Sequence, residues 1–302
     1  PTRLFLDHLG GGLKLSYDGN GWESSLLLGQ LPESTLEGLS FGEDNFVTDA
    51  FVAGLEYRRS TSQQDLSIAA YGMHDRRAID RTINLATIVV ALETKVSEGA
   101  LWIHGVGQYG TWANSGIGGI DQNIKAWAAQ LGTEHPLAGG SWSLRAVVLS
   151  ADDSHHGNAH MGAFLGSGKN RSSSKILTED EHRDRYDNLD ERMATSLGSL
   201  FLNTSGLVIA DASLKLPLVG NYSQELIIAG GWNINPDNAL GHRFVGAEID
   251  WAHHWDLSGK AALYLNLQAV QPGKAASVFV NDIDRLATNR IFGMQLGFVS
   301  RF

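Results

Sequence analysis

The 302-residue sequence has no cysteine and only 6 prolines. The lack of cysteine excludes disulfide bonds, thiolate metal sites and thiol redox chemistry, and the scarcity of proline leaves few positions that would interrupt a β-sheet. No stretch approaches the roughly 20 consecutive apolar residues of a membrane-spanning helix. The longest apolar runs, such as Ala86–Leu92, have the length of a strand instead.

The sequence also lacks a basic tract, and its formal net charge is −10. Nucleic acid is therefore not an expected partner, because its phosphates are bound by clustered Lys and Arg. No Gly-x-Ser-x-Gly elbow, Walker loop or strand-associated Gly-x-Gly-x-x-Gly occurs. We predict no catalytic residues, no cofactor and no metal, and we do not expect an enzyme.

What is abundant is glycine, with 35 residues, and segments in which apolar and polar residues alternate. This period of two is typical of strands with one apolar and one polar face. It predicts thirteen strands: Gly12–Asp18, Trp22–Gln30, Ala50–Arg58, Asp65–His74, Thr82–Val96, Ala100–Trp112, Asn123–His135, Ser141–Ala151, Leu207–Leu218, Gln224–Asn233, Arg243–Trp255, Gly259–Val270 and Arg290–Phe302.

The connections between these strands alternate in length. Five are short turns with Gly or Asn, namely Asp18–Gly21, Val96–Gly99, Pro136–Gly140, Val219–Ser223 and Asp256–Gly259. The long ones are Leu31–Asp49, Asp75–Arg81, Ala113–Gln122, Asp152–Gly206, Ile234–His242 and Gln271–Asn289. Tight turns on one edge and long loops on the other are typical of outer-membrane barrels.

We therefore predict an all-β fold: one transmembrane, antiparallel, up-and-down β-barrel domain over residues 1–302, with a long extracellular loop at 152–206. The alternative is a soluble β-sandwich, whose strands also alternate but turn their apolar face inward. Bacterial barrels normally have an even number of strands. The sequence pattern shows thirteen or fourteen strands. We expect either that one strand escapes detection or that the chain continues upstream of Pro1, within a barrel of 14 to 18 strands.

The polar faces of the predicted strands supply the candidate lumen-lining residues: Glu56, Arg58, Glu93, Gln108, Arg145, Asp211, Lys215, Glu248, Asp250, Asn266, Gln268 and Arg301. Such a set can line a water-filled pore and select solutes by charge. It can equally form ion pairs that only satisfy a polar interior. The histidines of Asp152–His160 lie on a loop without fixed geometry, so we expect solvated residues there. We expect Trp251–Asp256 to belong to an interfacial aromatic girdle.

Several motifs resemble the alginate-export family of outer-membrane barrels. They are Arg3, Phe5 and Asp7; Arg81 and Thr82; Gln108, Tyr109 and Gly110; Ala126, Trp127 and Ala128; and Ser150, Asp152 and Asp153. The resemblance implies a porin-like barrel in the bacterial outer membrane that exports polysaccharide. Phe302 resembles the terminal aromatic residue that the barrel-assembly machinery recognises. The chain is shorter and more acidic than the family's exporters of anionic polysaccharide.

These observations predict a passive channel for a hydrophilic solute or an exported polysaccharide, in contact with outer-membrane lipid. One alternative is a structural barrel that serves as a sheath or docking platform for a protein partner, such as an electron-transfer or surface-assembly complex. The length of the loop at 152–206 motivates it, because a simple pore needs no such loop. An outer-membrane enzyme is the third hypothesis.

Overall fold

The structure is a computed structural model, and it describes residues 11–30, 50–75, 82–113, 121–137, 139–152, 160–166, 201–202, 206–217, 220–275 and 289–300. Nearly all of these residues lie in strands, as the sequence predicts. The one helical element with a bounded range is a short 3-10 helix at Asp237–Ala239. No helix within the described ranges is long and apolar enough to cross a membrane.

The strands of the first half are β1 (Gly11–Gly19), β2 (Trp22–Gln30), β3 (Ala50–Ser60), β4 (Gln64–Asp75), β5 (Thr82–Val96), β6 (Gly99–Ala113), β7 (Gln122–Leu137) and β8 (Gly140–Leu149). Three two-residue strands follow: β9 (His160–Met161), β10 (Leu165–Gly166) and β11 (Phe201–Leu202). The last five are β12 (Leu207–Pro217), β13 (Tyr222–Trp232), β14 (Phe244–Ser258), β15 (Ala261–Pro272) and β16 (Ile291–Ser300).

All thirteen predicted strands are confirmed, and they form a single antiparallel sheet in sequence order, with β12 next to β8. The short β9 joins this sheet by pairing in parallel with the start of β7, and β10 pairs with β11 apart from it. Long strands that follow one another in one sheet have up-and-down topology, which a two-sheet sandwich does not have.

The described sheet is not closed, because β1 has only β2 as a neighbour and β16 has only β15. Both edge strands run from the long-connection edge towards the short-turn edge. They are therefore parallel to each other, as follows from an odd number of antiparallel strands. Direct pairing between them would break the alternation that every other long pair shows.

Three of the five predicted short turns contain a glycine with a positive φ value. Gly21, Gly139 and Gly220 have positive φ values of 78°, 82° and 65°. Tight hairpin turns require such values, and glycine adopts them without a steric cost. A sixth short turn, at 61–63 between β3 and β4, has no glycine; the hydroxyl of Thr61 accepts the backbone N–H of Gln64 at 2.9 Å.

The two faces of the sheet differ in exposure, as β5 illustrates. Its side chains alternate, so that Ile88 on one face is 58% exposed while the next residue, Val89, is 2% exposed. The cross-strand register extends this assignment to every long strand, because residues directly opposite each other point to the same side. We call the side of Val89 the inner face and the side of Ile88 the outer face.

Candidate functional site on the inner face of the sheet

The predicted lumen-lining residues in the described strands all lie on the inner face. Register and burial place the following eleven there: Glu56, Arg58, Glu93, Gln108, Arg145, Asp211, Lys215, Glu248, Asp250, Asn266 and Gln268. Several are buried, including Gln108, Asp211, Glu248 and Asp250. The twelfth, Arg301, and the terminal Phe302 lie outside the described residues.

Four acidic residues and one arginine share a single row across the inner face. Successive strands from β3 to β15 place these ten residues directly opposite one another: Ser60, Asp65, Glu93, Trp102, Gly132, Arg145, Asp211, Ala229, Glu248 and Val270. Neighbouring positions in such a row are about 4.8 Å apart. We call Asp65, Glu93, Arg145, Asp211 and Glu248 the charged row.

A second polar group surrounds Glu56, on β3. The hydroxyl of Tyr71 donates to Glu56 Oε1 at 2.7 Å, and the hydroxyl of Ser25 donates to Oε2 at 3.0 Å. The ammonium of Lys14 lies 3.3 Å from the same Oε2. Three partners from three strands therefore fix this carboxylate. The sequence pattern does not indicate Ser25 and Tyr71, because their contacts join segments that are distant along the chain.

Asp65 and Glu93 of the charged row line a cavity of about 340 Å³ together with Lys14, Ser25 and Glu56. Inside it, Arg58 Nη2 lies 3.9 Å from Asp65 Oδ1, and His104 Nε2 lies 3.5 Å from Glu93 Oε1. These contacts support the ion-pair interpretation of the polar face. The carboxylates of Asp65 and Glu93 nevertheless remain 41% and 42% exposed, so they are open to solvent within the cavity.

Acidic residues outnumber basic residues on the inner face. The acidic side chains of the described strands on this face are Asp18, Glu23, Glu56, Asp65, Asp75, Glu93, Glu134, Asp211, Glu225, Glu248, Asp250 and Asp256. The basic ones are Lys14, Arg58, Lys95, Arg145 and Lys215. On the outer face of the same strands the only charged residues are Arg59 and Lys125.

On strands β3 to β7, much of the inner face near the long connections is apolar. An inner apolar cluster consists of Val52, Met73, Ile83, Leu85, Trp112, Ile124, Met161, Ala163 and Phe164. These side chains are at most 4% exposed. Alternation alone could not reveal the cluster, since strands such as β5 are apolar on both faces.

Hydrogen bonds hold the segment with Met161 and Phe164 against the sheet. Ser150 Oγ accepts the N–H of Trp127 at 2.9 Å and donates to the carbonyl of Gly162 at 2.7 Å. Asp152 Oδ1 accepts the N–H of Gly162 at 2.8 Å. A side chain at Gly162 would place its Cβ 2.5 Å from the carbonyl oxygen of Ala151, so the close approach requires glycine.

Asp152 is thus part of a structural anchor, whereas Asp153, His155 and His156 lie outside the described residues. His160 belongs to β9 and is exposed. In the part of the chain that the structure describes, no group of three or more His, Cys, Asp or Glu is arranged to hold a metal ion.

The outer face has an apolar middle with aromatic rings towards both ends. Near the short turns, Tyr222 stacks on Trp255 at 5.1 Å, and its hydroxyl lies 2.6 Å from Nδ1 of His253. Trp251, His253 and Trp255 thus lie on the outer face, and the interfacial girdle stays a prediction. Near the long connections, Trp232 contacts Phe244 at 6.3 Å. Between the two ends, side chains such as Leu55 are more than half exposed.

Comparison with known proteins gives no match, either to a protein-family model or to a curated protein. The resemblance to the alginate-export family therefore stays a prediction. Of its motifs, Gln108 lies on the inner face and Tyr109 and Trp127 on the outer face, while Arg3, Phe5, Asp7 and Arg81 lie outside the described residues.

Proposed function

We propose that the protein is a passive channel of the alginate-export type in the bacterial outer membrane, and that it conducts a hydrophilic solute or an exported polysaccharide without bond chemistry. The observation that carries the proposal is the inside-out distribution of side chains. Large apolar residues are exposed on the outer face, while nearly all charged residues of the strands lie on the inner face.

Exposed apolar surface of this extent is unfavourable in water. Burying one such Leu, Ile or Phe side chain would stabilise a soluble protein by roughly 1.5–3 kcal/mol. Lipid removes this cost, because hydrocarbon tails are as apolar as the side chains. Large contiguous apolar patches on a protein surface mark membrane or partner contacts. The absence of acidic residues from the outer face of the described strands supports a lipid environment over a protein partner.

The spacing of the aromatic residues supports the same environment. Tyr222 and Trp232 are the first and last residues of β13, which has 11 residues. Ten steps along a strand span about 33 Å, and a tilt of about 40° reduces this to about 25 Å along the membrane normal. This is the height of the apolar band between the aromatic girdles of outer-membrane barrels.

In a membrane, both β1 and β16 must be paired, since an unpaired backbone edge cannot face hydrocarbon. An additional antiparallel strand between these two parallel edges would restore the alternation. The inner apolar cluster must in addition become wetted for ions to pass, because apolar constrictions exclude water.

Current through planar lipid bilayers tests the proposal. We expect the purified full chain to produce discrete steps of conductance, and we expect larger steps from a variant with a polar residue in the inner apolar cluster, such as Phe164→Ser. Persistent absence of current from both proteins, after each is shown to be folded and inserted, would contradict the channel function.

A further inference from the structure

We infer that the conduction path selects cations and cationic or neutral solutes, and that it disfavours polyanions. The juxtaposition that carries this inference is the charged row, in which four carboxylates and a single guanidinium cross the inner face. The inference rests on the proposed channel function and specifies the class of solute that the channel passes.

The inner face as a whole carries more acidic than basic side chains. Twelve acidic and five basic residues of the described strands lie there, whereas the outer face of those strands has no acidic residue. A cleft lined by charges of one sign concentrates counter-ions, typically by a factor of 10 or more. An excess of carboxylates in a wall with a low-dielectric exterior therefore enriches cations.

The charges within the row are unevenly distributed. Arg145 is the one basic residue among the ten residues of the row, and it lies directly opposite Asp211. On the opposite side of the row, Asp65 and Glu93 face each other across β4 and β5 and remain partly exposed. Two adjacent carboxylates open to solvent attract cations, as acidic rings do in cation channels.

Lys14 and Arg58, which line the cavity, already form ion pairs with carboxylates. Lys14 lies between Glu23 and Glu56, at 3.6 Å and 3.3 Å, and Arg58 lies 3.9 Å from Asp65. A polyanion would have to displace these carboxylates from their cations while approaching the remaining acidic residues. Like-charge juxtaposition of this kind is repulsive.

The reversal potential of single channels in a roughly tenfold gradient of KCl tests the cation selectivity. The same recording tests the channel function separately, because it shows whether any current flows. We expect potassium to permeate about tenfold better than chloride. We expect the preference to weaken at high salt, because the Debye length falls from about 10 Å at 0.1 M to about 3 Å at 1 M. No current from the inserted protein would contradict the channel function itself.

Variants of the charged row test whether its carboxylates cause the potassium preference. The double variant Asp65→Asn with Glu93→Gln, at partly exposed positions, should lose most of the potassium preference, and Glu93→Lys should shift it further towards chloride. Glu98→Gln, in an exposed turn outside the row, is the matched control and should leave the preference unchanged. A wild-type channel that prefers chloride or neither ion overturns the inference, as does a potassium preference that the row variants do not alter.

Discussion

Replacing Ile88 by arginine should lower the free energy of unfolding in lipid bilayers by about 2–4 kcal/mol. Ile88 lies in the middle of β5 on the outer face, opposite Ala70 and Gly107, and is 58% exposed. An arginine on the lipid face of a barrel near the bilayer midplane costs about 2–4 kcal/mol. In a soluble protein, an exposed position away from special features tolerates the same change within about 0.5 kcal/mol. Urea titration of the protein folded in lipid vesicles, followed by tryptophan fluorescence, measures the difference.

The control for Ile88→Arg is Ser62→Arg. Ser62 lies in the exposed short turn between β3 and β4, beyond the apolar band. The same side chain added there should leave the free energy of unfolding in vesicles nearly unchanged. Equal and small effects of both substitutions would indicate that the outer face meets water, and the membrane proposal would be wrong.

Replacing Phe164 by serine should increase the conductance of the channel several-fold. Phe164 is 3% exposed and belongs to the inner apolar cluster, beside Met161 and Ala163. Apolar constrictions close a pore by excluding water, so a smaller and polar side chain favours wetting. The loss of a buried aromatic ring typically costs about 3–5 kcal/mol. Since Phe164 lies outside the long strands, the sheet should still form, which heat-resistant migration in gels would show.

The matched control for this prediction is Phe292→Ser. Phe292 lies on the outer face of β16 and is 75% exposed, so the same change of side chain is made on the opposite face of the sheet. Its conductance should equal that of the wild type. If Phe164→Ser also conducts like the wild type, the inner apolar cluster does not lie on the conduction path.

Much of the fold could be predicted from the sequence because strand signals are local. The alternation of apolar and polar residues has a period of two, and glycines such as Gly21 and Gly139 mark the hairpin turns. The predicted boundaries differ from the structure by a few residues, for example at β14, which continues past Trp255 to Ser258. Strand ends depend on pairing with a neighbour, which a local pattern does not contain.

The candidate site was only partly predictable. The sequence placed Glu93, Arg145, Asp211 and Glu248 on polar faces, but it could not show that they share one row, because register depends on turns and bulges. Asp65 was missed because it begins its predicted strand next to a turn.

The inner apolar cluster was not predicted at all, since it depends on contacts between the strands β3 to β7 and the segment 160–164. Sequence alternation identifies two faces, but long-range packing decides how much of the inner face is polar.

The most direct test of the central claim is a scan of single cysteines along β5, labelled with nitroxide, in vesicles. The chain has no native cysteine, so each label reports a single position. The claim is that the apolar outer face meets lipid. Labels at Ile88, Val90 and Leu92 should collide often with oxygen dissolved in the bilayer and seldom with a water-soluble nickel complex. Labels at Val89 and Ala91 should show the reverse order or low accessibility to both. Frequent collisions of the nickel complex at Ile88, Val90 and Leu92 would contradict the claim.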